Sequence, residues 1–366
     1  MKKLFTLIIA FLLASPVMAG EIRRLGEDYR SKAMGNTGIV TATSATALFY
    51  NPATLSNIFT WWIDTPMMEL TYSDDSKDLY DTAKSGGFNL ETQQDQFDFM
   101  DTYIGKNPYI KFTTGTNAVV NISARGLSIA GNYTYEAVLD IKVRNPSMPE
   151  ISTFMRLDHV RQYGISIPIG IGQWVLGATY KTIERNELDF TYGMADALEG
   201  SDFPTLASDG ASGIGSGYDL GFLYRQNSAS RLMFGGVYRK GIELGDATPI
   251  PEEYALGIGM VQQFGIFRWI GALDFRDLSY KGASDGDKSI NRRTHWGSEL
   301  GIFPLSKSRS WISIRNGFSQ GNYSTGAEIS FWRVFVIGGT RYIEETGEYA
   351  GQNPSNRTVL YFSFGF

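Results

Sequence analysis

The sequence predicts an all-β protein: a transmembrane antiparallel up-and-down β-barrel of about 14 strands, with an N-terminal plug (hatch) segment and long extracellular loops. Three observations predict it. The chain begins with a secretory signal, the remainder repeats segments of about ten residues with alternating polarity, and the connections between these segments are short and long in turn. The domains that follow are a signal peptide over residues 1–19, a plug over 20–60 and the barrel over 61–366.

The first 19 residues carry the export signal. Lys2 and Lys3 precede an apolar stretch over residues 4–14, and Val17-Met18-Ala19 offers the small residues that a signal peptidase needs. A membrane anchor is the alternative, but the apolar stretch is too short and charged residues follow it. Cleavage after Ala19 leaves 31 basic against 38 acidic residues, a formal charge of −7, which disfavours a nucleic-acid partner.

The composition excludes several classes of site. The 366 residues include no Cys and two His, so disulfides, thiolate metal sites and cysteine nucleophiles are excluded, and we expect no metal and no cofactor. Hydrophobic residues make up 43% of the chain, yet beyond the N-terminus no run approaches the roughly 18 apolar residues of a membrane helix. Any membrane crossing must therefore use strands.

Alternating polarity is clearest over residues 133–144. Tyr133, Tyr135, Ala137, Leu139, Ile141 and Val143 share one parity, and Thr134, Glu136, Val138, Asp140, Lys142 and Arg144 share the other. This period of two predicts a strand with one apolar and one charged face. A half-buried strand of a soluble protein shows the same alternation, so the pattern alone does not place the strand in a membrane.

Connection lengths supply what alternation cannot. Every second connection is tight, as at Gly131 and Gly265-Ile266, whereas most others are long and polar, as over residues 75–116 and 187–213. Short turns at one end and long loops at the other are typical of bacterial outer-membrane barrels, whose short turns lie in the periplasm. The predicted strands are 67–74, 117–130, 132–144, 152–168, 173–186, 214–227, 231–241, 253–265, 267–279, 293–304, 309–319, 321–332, 334–345 and 358–366.

The last strand and the aromatic residues favour a membrane barrel. Leu360, Phe362, Phe364 and Phe366 share one parity, and a terminal strand of this kind resembles the signal that barrel-assembly machinery recognises. An ordinary edge strand is the alternative. Aromatic residues near predicted strand ends suit the lipid–water interfaces: Trp174, Tyr180, Tyr224, Tyr238, Tyr254, Trp269 and Trp296. Outer-membrane lipid and the assembly machinery are therefore expected partners.

Residues 20–60 do not alternate, and they are rich in small residues around Asn51-Pro52-Ala53. Irregular chain at membrane depth must be surrounded by protein or water, so we expect this segment to lie in the lumen as a plug. A loose periplasmic tail is the alternative, although it would leave Leu48, Phe49 and Tyr50 exposed to water.

The N-terminal segment also resembles a known family. Ala33, Gly35 and Gly38 form an Ala-x-Gly-x-x-Gly pattern, and an Ala/Thr-rich stretch leads from it to Phe49-Tyr50-Asn51-Pro52-Ala53. This is similar to the hatch of the FadL-type outer-membrane transporters of long-chain fatty acids and other hydrophobic compounds. The resemblance implies that Phe49, Tyr50, Asn51, Pro52 and Ala53 gate the lumen, and that the chain mediates uptake of fatty-acid-like hydrophobic molecules.

The chain is compact for a fatty-acid transporter, and its C-terminal third resembles the smaller PorV-like branch. The similarity lies in Gly317-Phe318-Ser319-Gln320-Gly321, Tyr342, Glu344-Glu345, Tyr349, Gly351-Gln352 and Pro354. Some members of that branch serve type IX secretion as barrels that handle cargo proteins. The alternative function is therefore binding of a secreted or surface protein, without small-molecule transport.

An enzyme would need a nucleophile with a base, or carboxylates with His, near one rim. His295 and Glu299 share the inward parity, and His159 follows Asp158, but the sequence contains no Gly-x-Ser-x-Gly elbow. The glycines of residues 213–217 lack the following helix of a phosphate loop. We therefore predict no catalytic residues and interpret the inward charges as paired groups in a solvated lumen.

The loop over residues 75–116 holds a candidate ligand-facing group. Phe97, Met100, Tyr103 and Ile104 recur at helical spacing beside acidic residues, which predicts a short amphipathic helix at the barrel mouth. An apolar ligand gains about 0.8 kcal/mol for each CH2 that leaves water, so such a helix is suited to bind one. Packing of the helix against the rim explains the spacing equally well.

Overall fold

The computed structural model describes residues 24–43, 46–58, 61–84, 93–122, 127–144, 150–170, 173–199, 204–227, 230–279, 290–305, 309–331, 334–346 and 353–365. The predicted signal peptide, residues 1–19, lies outside the described residues, as does Phe366 of the terminal strand.

The described residues form a closed antiparallel barrel of 14 strands, which confirms the predicted barrel and its strand count. Successive barrel strands pair with each other, and β1 closes the barrel against β16. A separate two-stranded hairpin, β8–β9, lies between β7 and β10 in the chain. The strands are β1 (Trp62–Ser73), β2 (Tyr109–Asn121), β3 (Ser128–Arg144), β4 (Glu150–Ile169), β5 (Trp174–Gly193), β6 (Ala211–Arg225), β7 (Ser230–Arg239), β8 (Ile242–Leu244), β9 (Ala247–Ile250), β10 (Glu253–Phe264), β11 (Phe267–Phe275), β12 (Thr294–Pro304), β13 (Ser310–Ser319), β14 (Asn322–Phe331), β15 (Phe335–Glu345) and β16 (Pro354–Gly365).

The two faces of the wall differ as the alternation predicts. On β3, Glu136 and Asp140 are buried on the lumenal face, whereas Tyr133 and Tyr135 are 40% and 46% exposed on the outer face. Leu360 and Phe364 likewise lie exposed on the outer face of β16, with Phe362 on the same parity. An apolar exterior around a charged interior is what a barrel in lipid requires.

The boundary between the second and third strands differs from the prediction. The sequence places a turn at Gly131, whereas Gly131 lies inside β3, paired with Ala118 of β2 and Tyr163 of β4. The alternation of inward side chains continues through Gly131, from Ala130 to Asn132. A glycine inside an alternating run therefore marks a strand position, and the connection spans residues 122–127.

The N-terminal segment, residues 24–58, lies against the lumenal face of the wall. It contains α1 (Tyr29–Ala33), α2 (Ala47–Tyr50) and a 3-10 helix over Pro52–Asn57. The Asp28 side chain caps α1 by accepting from the Ser31 N–H at 2.8 Å. Asn51 caps the 3-10 helix by accepting from the Ala53 N–H at 3.0 Å, and Pro52 occupies the first helical position.

The two ends of the barrel have different connections. At one end, here the short-turn end, residues 265–266 join β10 to β11, and three residues separate the end of β14 from the start of β15. At the other, the long-loop end, the connections include residues 74–108, 194–210 and 276–293. These loops contain α3 (Asp74–Lys84), α4 (Gln93–Tyr103), α5 (Met194–Glu199), α6 (Leu206–Asp209) and α7 (Ile290–Arg293). Helix α4 matches the helix that the spacing of Phe97, Met100 and Tyr103 predicts.

No helix in the described part of the chain has the length and apolar character to cross a membrane.

Candidate functional site

Glycines on the lumenal face leave room for the N-terminal segment. A Cβ atom at Gly177 of β5 would collide with the backbone of Pro52 and Ala53. One at Gly221 of β6 would collide with the Asn51 side chain. Atoms of the segment also lie within 3.0 Å of the Cβ position of a further set of lumenal glycines: Gly164, Gly235, Gly257, Gly259, Gly297, Gly317, Gly326 and Gly338. The segment therefore contacts strands from β4 round to β15.

Asn51 is the polar anchor of residues 46–58. Its buried amide donates to the Ile39 carbonyl at 2.9 Å and to the Phe222 carbonyl of β6 at 3.1 Å. One side chain therefore joins the 3-10 helix to the preceding part of the segment and to the wall. Two barrel arginines donate to carbonyls of the same stretch, Arg239 to Tyr50 at 2.6 Å and Arg225 to Ser56 at 2.9 Å.

Glu299 of β12 is the centre of a buried ion cluster that includes the segment. Its carboxylate accepts from Arg30 of α1 at 3.0 Å, from Arg268 at 2.7 Å and from Arg315 at 2.8 Å. Arg315 also donates to Glu328 at 2.5 Å. All these groups are buried, so removal of one charge would leave its partners without compensation.

A second cluster surrounds Glu27 of the segment. Lys32 lies 2.5 Å from the Glu27 carboxylate, and Arg276 of the loop after β11 lies 3.7 Å from it. Burial alone would raise the pKa of Glu27, but Lys32, Arg276 and Arg24 outweigh burial and lower this pKa to about 2. Glu27 is therefore ionised at neutral pH and attracts basic groups of both the segment and the wall.

The wall charges pair as the sequence predicts, but they are buried rather than solvated. Glu136 lies 2.9 Å from Lys111 and 2.7 Å from Arg156, and it is 3% exposed. Lys181 pairs with Asp219 at 2.7 Å in the same way. The N-terminal segment takes part in this burial, because the Lys111 ammonium also donates to the Glu27 carbonyl at 3.5 Å.

Small cavities lie beside the segment. One, of about 30 Å³, has a lining that includes Asp28, Arg30, Arg268, Arg315 and Glu328. Another, of about 20 Å³, is lined by residues that include Glu27, Lys32, Lys111, Glu136 and Arg156. Both linings combine acidic and basic side chains, so neither cavity suits a wholly apolar molecule.

The five residues predicted to gate the lumen lie together against the wall. Tyr50, Asn51, Pro52 and Ala53 are buried, and the Tyr50 hydroxyl donates to the Asn36 side chain at 3.2 Å. Phe49 is half-buried and packs beside Leu25 and the β8–β9 hairpin. Their gating role stays a prediction.

The loop residues predicted to face a ligand form a packed cluster. Met100 and Tyr103 are buried against Ile141, Val143 and Ile151, with Phe97 and Ile104 at the edge. Ile141 and Val143 share the parity of the exposed Tyr133 and Tyr135, so α4 covers the outer face of the wall at the long-loop end. Ligand contact by these residues stays a prediction.

The two histidines lie on opposite faces of the wall. His295 is buried in the lumen, with Nδ1 2.9 Å from the Gly35 carbonyl oxygen and 2.9 Å from the Ser319 hydroxyl. His159 stacks on Tyr135 at 4.3 Å on the outer face, whereas its neighbour Asp158 points inward and binds Arg185. Among the described residues, no group of His, Asp and Glu is placed to hold a metal ion.

Sequence reasoning missed the lumenal glycines and the β8–β9 hairpin. The signal was available, because Gly213, Gly215, Gly217 and Gly221 share one parity of β6. Glycines at successive inward positions indicate that backbone or bulky side chains approach the wall there.

No family model and no curated protein sequence matches this chain. Solved structures do. The toluene transporter TbuX of Ralstonia pickettii is 12% identical with a TM-score of 0.55, over 94% of this chain and 98% of that one. A mutant of the monoaromatic hydrocarbon channel TodX is 12% identical with a TM-score of 0.51, over 92% of this chain and 97% of that one. At these identities the likeness shows the fold: the chain shares its barrel fold with a toluene transporter and a hydrocarbon channel.

Proposed function

We propose that this chain is an outer-membrane channel for the uptake of hydrophobic small molecules, with residues 24–58 as its plug. The observation that carries the proposal is the course of this segment along the lumenal glycines of a closed barrel. The fold shared with a toluene transporter and a hydrocarbon channel supports a hydrophobic ligand and a transporter rather than an enzyme. In this proposal the short-turn end faces the periplasm.

We propose long-chain fatty acids as the substrate class. Monoaromatic hydrocarbons are the class against which their uptake is compared. Transfer out of water is favourable for both classes, by about 0.8 kcal/mol for each CH2 of a fatty-acid chain. A fatty acid also needs a cation for its carboxylate, whereas the lumenal arginines Arg30, Arg268 and Arg315 are already paired with Glu299. The relative uptake of the two classes therefore reports whether the ion clusters open.

Gating is proposed to centre on Asn51 and Pro52. Asn51 binds both the earlier part of the segment and β6, so release of this side chain would free the 3-10 helix from the wall at Phe222 and from the earlier part of the segment at Ile39. Apolar molecules would then pass beside the displaced segment or leave sideways into the bilayer.

The test is uptake of labelled toluene and labelled oleate by cells that express the full chain, a deletion of residues 33–55, or no channel. We expect uptake above the empty cells for the full chain and a changed rate for the deletion. Gly131→Ala, on the outer face, is the control and is expected to behave as the full chain. Uptake equal to that of empty cells would contradict transport. An unchanged rate for a folded deletion variant would contradict gating by the plug.

The PorV-like alternative, binding of a secreted or surface protein, stays a prediction from the C-terminal resemblance. Its test is crosslinking from the long loops in intact cells, where the absence of any protein adduct would contradict it.

A further inference from the structure

The β8–β9 hairpin folds into the lumen. Ile242, Leu244 and Ala247 are at most 3% exposed, although they belong to the connection between β7 and β10. They lie over the inward glycines of β6. A Cβ atom at Gly213 would collide with the Leu244 carbonyl, and one at Gly217 would lie 2.7 Å from an Ile242 side-chain carbon. Three alternating glycines therefore give the hairpin a flat surface on the inner wall.

Beneath the hairpin lies an apolar niche, defined by Val160 of β4, Ile183 of β5, and Leu25 and Phe49 of the N-terminal segment. Val160 and Ile183 are at most 1% exposed and face the lumen, where Asp158 and Arg185 occupy the adjacent inward positions of the same two strands. The niche thus differs from the two charged cavities, and an apolar molecule finds contacts there that it lacks in them. Ile242 and Leu244 fill it.

Two hydrogen bonds join the hairpin at Thr248 to β5. Arg185 donates to the Thr248 carbonyl at 3.0 Å, and the Thr248 N–H donates to the Glu187 carboxylate. Arg185 is itself fixed by Asp158 at 2.8 and 3.0 Å. The hairpin forms its own two-stranded sheet, apart from the barrel, and an isolated hairpin of this size is marginally stable.

We propose that the niche is a lumenal binding site for an apolar ligand, and that Ile242 and Leu244 occupy it until such a ligand displaces the hairpin. The burial of the ligand's apolar surface in the niche offsets the exposure of Ile242 and Leu244 to water when the hairpin is displaced. The proposal rests on the proposed function for the kind of ligand, but binding in the niche is measured without transport.

Cysteine reactivity tests both the covering of the niche by the hairpin and the binding of a ligand in the niche, because the natural chain has no Cys. Ile183→Cys places one thiol in the niche, and its modification by N-ethylmaleimide is followed by intact mass in purified protein. We expect slow modification in the full chain and modification at least about tenfold faster when a Gly-Ser linker replaces residues 242–250. Saturating toluene is expected to slow it again in the shortened chain.

The matched control is Ile214→Cys, on the outer face of β6 and 67% exposed, whose modification rate is expected to be the same in both chains. Where the shortened chain fails to fold, Ile242→Ser with Leu244→Ser weakens the hairpin and leaves its length unchanged. Equal rates at residue 183 with and without the hairpin would overturn its covering role. Faster modification without protection by toluene would overturn the binding site. Absence of toluene uptake by cells would contradict the proposed function and leave these two results intact.

Discussion

The two ends of the N-terminal segment are attached to the same wall by different forces. Residues 24–32 supply charged side chains, and Glu27, Arg30 and Lys32 enter buried ion pairs. Residues 46–58 contain no charged residue, and they offer carbonyl oxygens to Arg239 and Arg225 and pack on Gly177 and Gly221. The attachment of residues 24–32 depends on charge complementarity. The attachment of residues 46–58 depends on the space that the wall glycines leave for its backbone.

The two modes of attachment are lost in different ways. Buried ion pairs fix the register of a segment, but they fail together when one member loses its charge. Packing against glycines is insensitive to charge and fails when volume is added. Substitutions of the two kinds should therefore act on different halves.

The largest effect is expected for Glu299→Gln. The change leaves Arg30, Arg268 and Arg315 without the carboxylate that holds them, and breaking a buried pair in this way costs about 3–5 kcal/mol. The free energy of unfolding, measured by urea titration of the purified barrel, checks it. Glu184→Gln is the control, because that side chain is 51% exposed and pairs weakly with His159. Equal losses for both variants would show that the cluster does not hold the segment.

Acidification is expected to have the next largest effect. The pKa of Glu27 is about 2 in the folded chain, below its usual value of about 4.3, so its contribution is complete above the higher value and disappears as the pH falls toward the lower one. The difference corresponds to about 3 kcal/mol at most. The measurement is unfolding at a series of pH values between these limits for the natural chain and for Glu27→Gln. Parallel curves for the two proteins would contradict the assignment.

Gly177→Ala is expected to cost about 1–3 kcal/mol, because the added carbon meets the backbone of Pro52 and Ala53 rather than a flexible side chain. Gly131→Ala is the matched control, since the nearest atoms to its Cβ position lie at 4.0 Å. Unfolding measurements on the two variants check the difference. A loss as large for Gly131→Ala would mean that strand propensity, not contact with the segment, sets the cost.

The sequence predicted what alternation and connection length report. The strand count, the closed barrel and the lumenal parity of Glu136, Asp140 and Glu299 follow from a period of two. The prediction from sequence was wrong or incomplete where the same residue type is compatible with two local structures. Gly131 is typical of a turn but pairs inside β3, and the glycines of 213–217 make room for a hairpin that is distant in the sequence but packs on them in the fold.

The sequence singles out residues of the N-terminal segment but does not predict their contacts. Asn51 and Pro52 interrupt a stretch of small residues and are therefore easy to identify in the sequence. The partners of Asn51 are the backbone carbonyls of Ile39 and Phe222, and a backbone partner cannot be predicted from residue type. Likewise, Arg30 and Glu299 are 269 residues apart in the sequence, and their contact depends on the path of the N-terminal segment along the wall.

The central claim is that residues 24–58 lie inside the barrel, and a disulfide tests it most directly. The Leu48 side chain reaches the Cβ position of Gly164 on the lumenal face of β4, whereas Gly131 lies on the outer face of β3, one position along from Gly164's partner Ala130. In protein extracted from the outer membrane, we expect Leu48→Cys with Gly164→Cys to form a disulfide, and Leu48→Cys with Gly131→Cys to remain reduced. Absence of the first disulfide in a folded barrel, or equal formation of both, would contradict the account.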